Sequence, residues 1–283
     1  MTDSASTARQ PFSSLPDGRV VERVVLRAED GLKAHVITYG AALQALIVPD
    51  VEGRCEDVVL GYDDLDGYLR KRRFFGATVG RYANRIANAS FVLEGEAVRL
   101  AANNGPHALH GGPDGFDRQL WQITDIGDAA QPYVALAYVS ADGEEGYPGR
   151  LDVSVTYRLT DLCELSVVLT ALSDRPTIVN LTNHSFFNLE GAASGVDILD
   201  HRLAIAAEHF LAIDDSAIPL PEPPRSVAGT PFDFRTAAPI GARIRHDDAQ
   251  LRHGRGYDHN FCLKTDRELR PAAQLEAPRS DEF

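Results

Sequence analysis

Cysteine is scarce in this chain, with three residues among 283: Cys55, Cys163 and Cys262. They are far apart and form no Cys-x-x-Cys pair, which argues against a disulfide framework and against a cysteine-ligated metal site. An odd, sparse set is typical of proteins kept in a reducing compartment. No segment has the apolar length of a membrane span, and residues 1–10 lack the basic start and apolar stretch of a signal peptide. We therefore predict a cytoplasmic protein.

Basic residues are also in short supply. The chain has 28 lysines and arginines against 41 aspartates and glutamates, a formal net charge of -13 at pH 7. Nucleic acids and anionic membranes bind clustered positive charge, so neither is predicted as a partner. The Walker A loop, the Gly-x-Gly-x-x-Gly fingerprint and the Gly-x-Ser-x-Gly elbow are missing, which argues against nucleotide binding and α/β-hydrolase chemistry. A neutral or cationic small molecule is the ligand that this composition favours.

Long amphipathic helical patterns are missing as well, and only residues 63–73 are compatible with a short helix. Apolar and polar residues alternate over 151–159 and again over 165–171, which predicts a β-hairpin. Many short strands separated by turns indicate an all-β sandwich or barrel. We predict a flexible tail over residues 1–16 and a single domain over 17–283. Similar apolar runs predict further strands at 20–26, 34–38, 44–48, 58–60, 121–126 and 134–139.

His184 is the most informative single residue. It lies in residues 180–189 (NLTNHSFFNL), directly after a β-type run and among asparagines and phenylalanines. An imidazole has an ordinary pKa of about 6.5, so it can give or accept a proton at physiological pH. Amide groups beside flat apolar rings are typical of a pocket that binds a sugar. Taken alone, a buried structural histidine is the plainer interpretation.

Residues 80–88 (GRYANRIAN) contain a second candidate group. Asn84 and Arg85 are adjacent, so their side chains point apart in an extended strand but converge in a turn. The arginine fork presents five donors and suits vicinal hydroxyls. A surface loop with a structural ion pair is the alternative.

Residues 103–112 (NNGPHALHGG) and 254–261 (GRGYDHNF) contain the remaining candidates. His107 and His110 have a spacing found in metal sites, but no third ligand is nearby, so zinc is a minor alternative. The two glycines after His110 let the backbone approach a ligand closely. Asp258 lies in a glycine-rich approach to an apolar strand, where a carboxylate can accept hydrogen bonds from sugar hydroxyls, although aspartate also favours such loops for local reasons.

These segments, together with residues 145–149 (EGYPG) and 229–234 (GTPFDF), resemble the motifs of the aldose 1-epimerase (galactose mutarotase) family. They occur in that family's order, and the similarity runs from about residue 20 to residue 280. The resemblance implies a large antiparallel β-sandwich, a galactose mutarotase-like supersandwich, with the sugar in a cleft on its concave face. It also implies interconversion of the α and β anomers of free aldoses of the glucose and galactose type, without cofactor or metal.

Carried over residue by residue, His184 resembles the family's general acid, which protonates the ring oxygen. Opening a cyclic hemiacetal needs that proton and also the removal of the proton on the anomeric hydroxyl. Rotation about the C1–C2 bond and closure on the other face then invert the anomer. Each positioned acid or base typically contributes about 10²–10⁴-fold. The residues that resemble the sugar-binding groups or line the same wall are Asn84, Arg85, His110, Ser185, Phe186 and Asp258.

The chain departs from the family at its end. The family's general base is a glutamate on a strand well after residues 257–261, and residues 277–283 do not resemble that stretch. We therefore expect a sandwich without its C-terminal strands and a site without its base. Glu276, Asp281 and Glu282 are the nearest carboxylates in sequence, and we expect none of them to replace it.

Three alternatives stay open at this point. The first is a non-catalytic or impaired sugar-binding homologue, because the base is absent. The second is an epimerase of sugar phosphates, for which the basic run 70–73 would bind phosphate. The third is a glycoside hydrolase, which would need two facing carboxylates that these motifs do not offer.

Overall fold

The computed structural model describes residues 4–50, 52–127, 131–160, 163–264 and 268–278. Contacts divide the chain into two compact units, Met1–Ala193 and Ser194–Phe283. Antiparallel strands dominate both units, which confirms the predicted all-β class. The single domain over 17–283 stays a prediction. Within the described ranges no helix has the length and apolar character needed to cross a membrane.

The described residues of the first unit form two larger antiparallel sheets, β1-β2-β3-β4-β5 and β11-β12-β13-β14, and three two-stranded pairs, β6 with β15, β7 with β10 and β8 with β9. One short helix, α1 (Leu65–Arg70), follows the first sheet. The strands are β1 (Ser6–Ser14), β2 (Val20–Arg27), β3 (Lys33–Ile37), β4 (Ala42–Pro49), β5 (Cys55–Asp57), β6 (Thr78–Val79), β7 (Arg85–Ile86), β8 (Ser90–Leu93), β9 (Glu96–Arg99), β10 (Ala108–Leu109), β11 (Gln122–Gly127), β12 (Tyr133–Ser140), β13 (Leu151–Thr160), β14 (Glu164–Ser173) and β15 (Thr182–Asn183).

The hydrophobic core of the first unit lies between its two larger sheets. Along β13 every second residue is buried, from Leu151 to Leu159, so the alternation in the sequence corresponds to one face turned inward. Strand β14 pairs with β13 throughout, which confirms the predicted hairpin. Val24 and Val36 of the first sheet and Leu136 of the second belong to one buried cluster. This packing of two sheets is the sandwich that the sequence predicts.

The first residues of the chain differ from the predicted flexible tail. Ser6–Ser14 form β1, which pairs with β2 with an irregularity between Pro11 and Ser13. Main-chain hydrogen bonds to a neighbouring strand do not require apolar side chains, and a proline is tolerated on an edge strand or at a bulge. Residues 58–60 also differ from prediction: they form no strand, and Val59 makes only an isolated bridge with Phe187.

In the part of the second unit that the structure describes, the strands form two three-stranded sheets, ordered β19-β16-β21 and β18-β17-β20. The buried hydrophobic core of this unit includes Phe210, Val227, Phe232 and Leu251. Its elements are β16 (Arg202–Ile205), β17 (His209–Phe210), β18 (Arg225–Ser226), β19 (Ala238–Pro239), α2 (Ala249–Gly254), β20 (Phe261–Cys262) and β21 (Ala273–Glu276).

Candidate functional site

The main chain of His184 is held on both sides by one turn. His184 follows β15, its N–H donates to the carbonyl of Ala77 at 2.9 Å, and its carbonyl accepts from the N–H of Gly76 at 3.0 Å. Gly76 has φ of 62°, and a Cβ there would overlap the carbonyl oxygen of Leu43. Only glycine fits this position, because a side chain would be strained and would also clash. The imidazole of His184 therefore starts from a fixed backbone.

Asn183 links the same segment to the core. Its Nδ2 donates to the carbonyl of Gly76 at 2.9 Å and to the hydroxyl of Tyr157 at 3.0 Å, and the buried Tyr157 hydroxyl donates to the carbonyl of Ala41 at 2.8 Å. Its Oδ1 accepts from the hydroxyl of Ser185 at 2.6 Å. Ser185, predicted to line the sugar-binding wall, thus donates its hydroxyl proton to Asn183 and retains acceptor capacity.

His110 and Asn84 form a reciprocal pair where β10 lies against β7. The N–H of His110 donates to the carbonyl of Asn84, and the N–H of Asn84 donates to Nδ1 of His110, both at 3.1 Å. Because Nδ1 accepts, the proton of the neutral ring is assigned to Nε2. The two residues have φ of 53° and 73°. Such left-handed residues are uncommon outside glycine and concentrate at functional sites.

His110 stays neutral across the physiological range. Burial lowers its pKa to about 3, and the positive charges of His184, Arg85 and Arg72 act in the same direction. Its Nε2–H is therefore a hydrogen-bond donor rather than an acid. Of the glycines after it, Gly111 has φ of 91° and packs so closely that a Cβ would overlap the carbonyl of Gly80. The close approach predicted for these glycines is to the protein's own backbone.

Arg85 and Asn84 converge, as the turn alternative predicts. The N–H of Arg85 donates to Oδ1 of Asn84 at 2.8 Å, and its Nη1 lies 3.4 Å from the same oxygen. Its Nε donates to Oδ1 of Asn104 at 3.2 Å. Amide oxygens thus hold the guanidinium of this half-buried residue, whose positive charge acts on His110.

Three rings form the centre of the site, and we call Phe74, His110 and His184 the site cluster. The two imidazoles lie 5.0 Å apart at 90°, and Phe74 lies 4.7 Å from His110 and 5.6 Å from His184. Phe186 packs 5.0 Å from His184 and is 39% exposed, as expected for a residue on a pocket wall. Sequence reasoning missed Phe74, since the glycine two residues later indicates a turn but not the conformation of Phe74.

The basic run 70–73 is not assembled as a phosphate-binding cluster. Arg72 donates to both carboxylate oxygens of the buried Asp117, at 2.7 and 2.8 Å, and to the two carbonyls of residues 112–113. Arg70 pairs with Asp66 within α1 at 2.8 Å. The sugar-phosphate alternative loses its support, since these arginines already have carboxylate partners.

The segment 145–149 is explained by structure rather than chemistry. Arg81 is buried, and its guanidinium donates to the carbonyls of Pro148 and Gly149 at 3.0 and 2.7 Å. It also donates to the carbonyl and the hydroxyl of Ser140 at 3.1 and 2.8 Å. A buried cation saturated by oxygen acceptors fixes this loop against residue 81.

The His107 side chain, considered above as a possible metal ligand, has a structural role. Nδ1 of His107 accepts from the N–H of Asn88 at 3.0 Å, so this imidazole caps a turn. Across the described part of the chain, no group of three or more His, Cys, Asp or Glu residues is placed to hold a metal ion.

The remaining predicted residues lie in the second unit. Asp258 is exposed, in the loop between α2 and β20, and its role as a hydroxyl binder stays a prediction. Glu276, in β21, lies 3.9 Å from Arg202 across the strand pair. Asp281 and Glu282 lie outside the described residues.

Comparison with known proteins places these features in one family. The family model described as aldose 1-epimerase matches residues 22–281. The galactose mutarotase of Bos taurus is 46% identical over 271 residues, which are 95% of this chain and 75% of that protein. The aldose 1-epimerase of Escherichia coli (strain K12) is 41% identical over 249 residues, 88% of this chain and 70% of that protein. The crystal structure of galactose 1-epimerase from Lactobacillus acidophilus NCFM matches with a TM-score of 0.85 at 31% identity, covering 97% of this chain and 78% of that one.

Proposed function

We propose that this chain, which belongs to the aldose 1-epimerase family, interconverts the α and β anomers of free aldoses by acid–base opening and closure of the sugar ring. The observation that carries the proposal is the pair of unlike imidazoles in the site cluster. His184 is fixed through its main chain, and 5.0 Å away His110 is held as a neutral donor. A site with one proton-transferring and one neutral imidazole suits ring opening.

His184 is the proposed general acid. It gives its proton to the ring oxygen as the C1–O5 bond breaks, while the anomeric hydroxyl loses its proton to solvent water. Closure on the other face returns a proton to that hydroxyl from water and the ring-oxygen proton to His184. Its half-buried position next to Phe186 supports this role, since an apolar ring can hold a sugar face while the imidazole reaches the ring oxygen.

His110, Asn84 and Arg85 are the proposed hydroxyl-binding groups, and Ser185, Phe186 and Asp258 complete the proposed set. The Nε2–H of His110 and the guanidinium of Arg85 are donors on neighbouring elements. Because His110 stays neutral, its N–H can bind a hydroxyl without competing with the sugar for the proton of His184. We do not assign Glu276 as the base, because its carboxylate already faces Arg202.

The proposed substrate is a neutral aldose of the glucose or galactose type, and the relatives named galactose mutarotase support galactose in particular. Arg72 and Arg70, which a phosphorylated sugar would require, are paired with carboxylates. We also propose a cytoplasmic location, supported by three unpaired cysteines that stand far apart in the sequence.

The test is polarimetry of freshly dissolved α-D-glucose and α-D-galactose with the wild-type chain, His184→Ala and His246→Ala. His246 is an exposed histidine of the second unit and serves as the matched control. We expect the wild type and the control to speed equilibration equally, and His184→Ala to lose about 10²–10⁴-fold. A wild type that binds sugar but leaves the buffer rate unchanged would overturn the activity. Unchanged kinetics in His184→Ala would overturn the role of that residue.

A further inference from the structure

We propose that Phe74, backed by Arg72, is a positioning residue that sets the distance and angle between the imidazoles of His110 and His184. The inference deepens the proposed function and rests on it. Neither residue belongs to the predicted catalytic or hydroxyl-binding set. Phe74 acts through the two histidines and makes no contact with the reacting atoms.

The ring of Phe74 touches both imidazoles at once. Its centroid lies 4.7 Å from that of His110, at an interplanar angle of 63°, and 5.6 Å from that of His184, at 34°. The two imidazoles lie 5.0 Å apart at 90°. Each ring in this triangle is in contact with the other two, so none can turn without displacing a neighbour.

The backbone at Phe74 is unusual for an aromatic residue. Its φ is 59°, in the left-handed region that a bulky side chain rarely adopts. The turn closes when the N–H of Ala77 donates to the carbonyl of Phe74 at 3.1 Å. The N–H of Gly76 in the same turn donates to the carbonyl of His184, and the N–H of His184 donates to the carbonyl of Ala77. The strained residue and the proposed acid therefore share one hydrogen-bonded turn. Local strain of this kind persists when the surrounding structure fixes it, and it is concentrated at functional sites.

Arg72 holds the Phe74 ring from the other side. Its guanidinium carbon lies 4.8 Å from the ring centroid, within range of a cation–π contact. The guanidinium is immobilised by both oxygens of Asp117, whose side chain is 4% exposed, and by two carbonyls of the 112–113 loop. That loop directly follows His110. One arginine thus fixes the aromatic ring and the loop that carries one of the imidazoles.

This arrangement has a chemical consequence for the proposed site. By covering His110, the Phe74 ring keeps water from the imidazole, which favours the neutral form. The hydrogen bond from Asn84 to Nδ1 then leaves the proton on Nε2. His184 can then be the imidazole of the pair that carries the mobile proton. Replacing the ring by a smaller side chain should let water reach His110 and let both imidazoles rotate.

The experiment compares Phe74→Leu, Phe74→Tyr and the control Phe12→Leu. Phe12 is also half-buried, and the guanidinium carbon of Arg23 lies 5.7 Å from its ring centroid. Its ring packs against the buried hydrophobic residues around Leu15 and Val21, away from the site cluster. Mutarotation kinetics give kcat and KM. Long-range ¹H–¹⁵N spectra of the histidine side chains give the tautomer and titration of His110 from pH 8 to pH 5.

Phe74→Leu should lower kcat by on the order of 10–100-fold with KM changed less than about threefold, because the acid is misplaced while Asn84 and Arg85 still bind the sugar hydroxyls. In the same variant His110 should begin to titrate above pH 5. Phe74→Tyr, which keeps the ring, and Phe12→Leu should match the wild type in both readouts.

Unchanged kcat and unchanged His110 titration in Phe74→Leu would overturn the proposal, as would an equal loss in Phe74→Tyr or Phe12→Leu. If the wild type has no mutarotase activity, the proposed function fails. The spectra then decide the positioning role alone, because the titration of His110 does not depend on turnover.

Discussion

Each unit of this protein contains a histidine packed against phenylalanine rings, and the two differ in their surroundings. In the second unit His259 lies 4.5 Å from Phe232 and 5.6 Å from Phe210, and we call these three residues the core cluster. Burial lowers the pKa of His259 to about 4, much as it lowers that of His110 to about 3. By ring contacts and titration alone, the core cluster and the site cluster are hard to distinguish.

Their neighbours separate them. Phe210 and Phe232 are 2% and 1% exposed and belong to the hydrophobic core of the second unit, and Nε2 of His259 lies 3.3 Å from Oε1 of the buried Gln250. The site cluster has a partly exposed Phe186 at its edge, left-handed residues and two arginines nearby. A lowered histidine pKa therefore marks burial, and only exposure, strain and convergent polar groups mark a site.

The largest expected effect is on stability, in the core cluster. Phe232→Ala should lower the free energy of unfolding by about 3–5 kcal/mol, because it opens a cavity in a closed core. Phe186→Ala, at the edge of the site cluster, should cost less than about half of that, since its ring is already 39% exposed. Urea unfolding of the two variants measures the difference. Equal losses would mean that the site cluster is also simply core.

The next effect concerns the buried charge behind the site cluster. Arg72→Ala leaves the carboxylate of Asp117, 4% exposed, without its bidentate partner. We expect a loss of about 3 kcal/mol in unfolding free energy, the low end for breaking a buried pair because the Arg72 side chain is 23% exposed. Arg72→Lys should recover only part of it, because lysine has no planar fork to span both carboxylate oxygens. Full recovery with lysine would show that charge alone matters here.

Both clusters should make stability depend on pH in the same direction. The pKa values of His110 and His259 fall from 6.5 to about 3 and about 4 on folding, so the unfolded chain binds more protons between those limits. Stability is therefore highest above pH 6.5 and falls as the pH drops, by at most about 1.4 kcal/mol per pH unit for each histidine. Urea melts from pH 7 to pH 4.5 should show this slope, and His110→Gln and His259→Gln should each reduce it. A slope unaffected by either substitution would contradict the burial of both rings.

The smallest expected effect is that of Arg70→Ala, which we compare with Arg72→Ala in the same basic run. Arg70→Ala breaks only the exposed pair with Asp66 in α1, which should change unfolding free energy by less than about 0.5 kcal/mol. Mutarotation rates should not change either, in contrast to Arg72→Ala. Thermal unfolding and polarimetry of the two variants side by side check this, and a rate loss in Arg70→Ala would contradict the purely structural role of its pair with Asp66.

The sequence predicts the β13–β14 hairpin well because burial of one face determines every second side chain there. It does not predict β1, since Ser6–Ser14 are mostly polar and include Pro11. That strand exists through main-chain pairing with β2, a partner that the local pattern does not reveal. The sequence also predicts a strand over residues 58–60, but this apolar run makes a single isolated β-bridge.

For the site, family resemblance identifies His110 and His184, and the structure brings the two together. Phe74 has no local signature of its role, because that role depends on a left-handed φ and on rings from two other segments of the chain. The glycine pair after His110 is interpretable only in the fold, where Gly111 packs on the backbone of Gly80.

We infer that the site cluster catalyses the reaction, whereas the core cluster only stabilises the fold. Anomer exchange at equilibrium, measured by NMR on galactose, tests it most directly when His184→Ala and Phe232→Leu are compared with the wild type at equal concentrations of folded protein. We predict that His184→Ala loses at least about 10²-fold of the exchange rate, while Phe232→Leu stays within about threefold of the wild type. A His184→Ala variant that keeps its rate, or a Phe232→Leu variant that loses as much, would contradict the account.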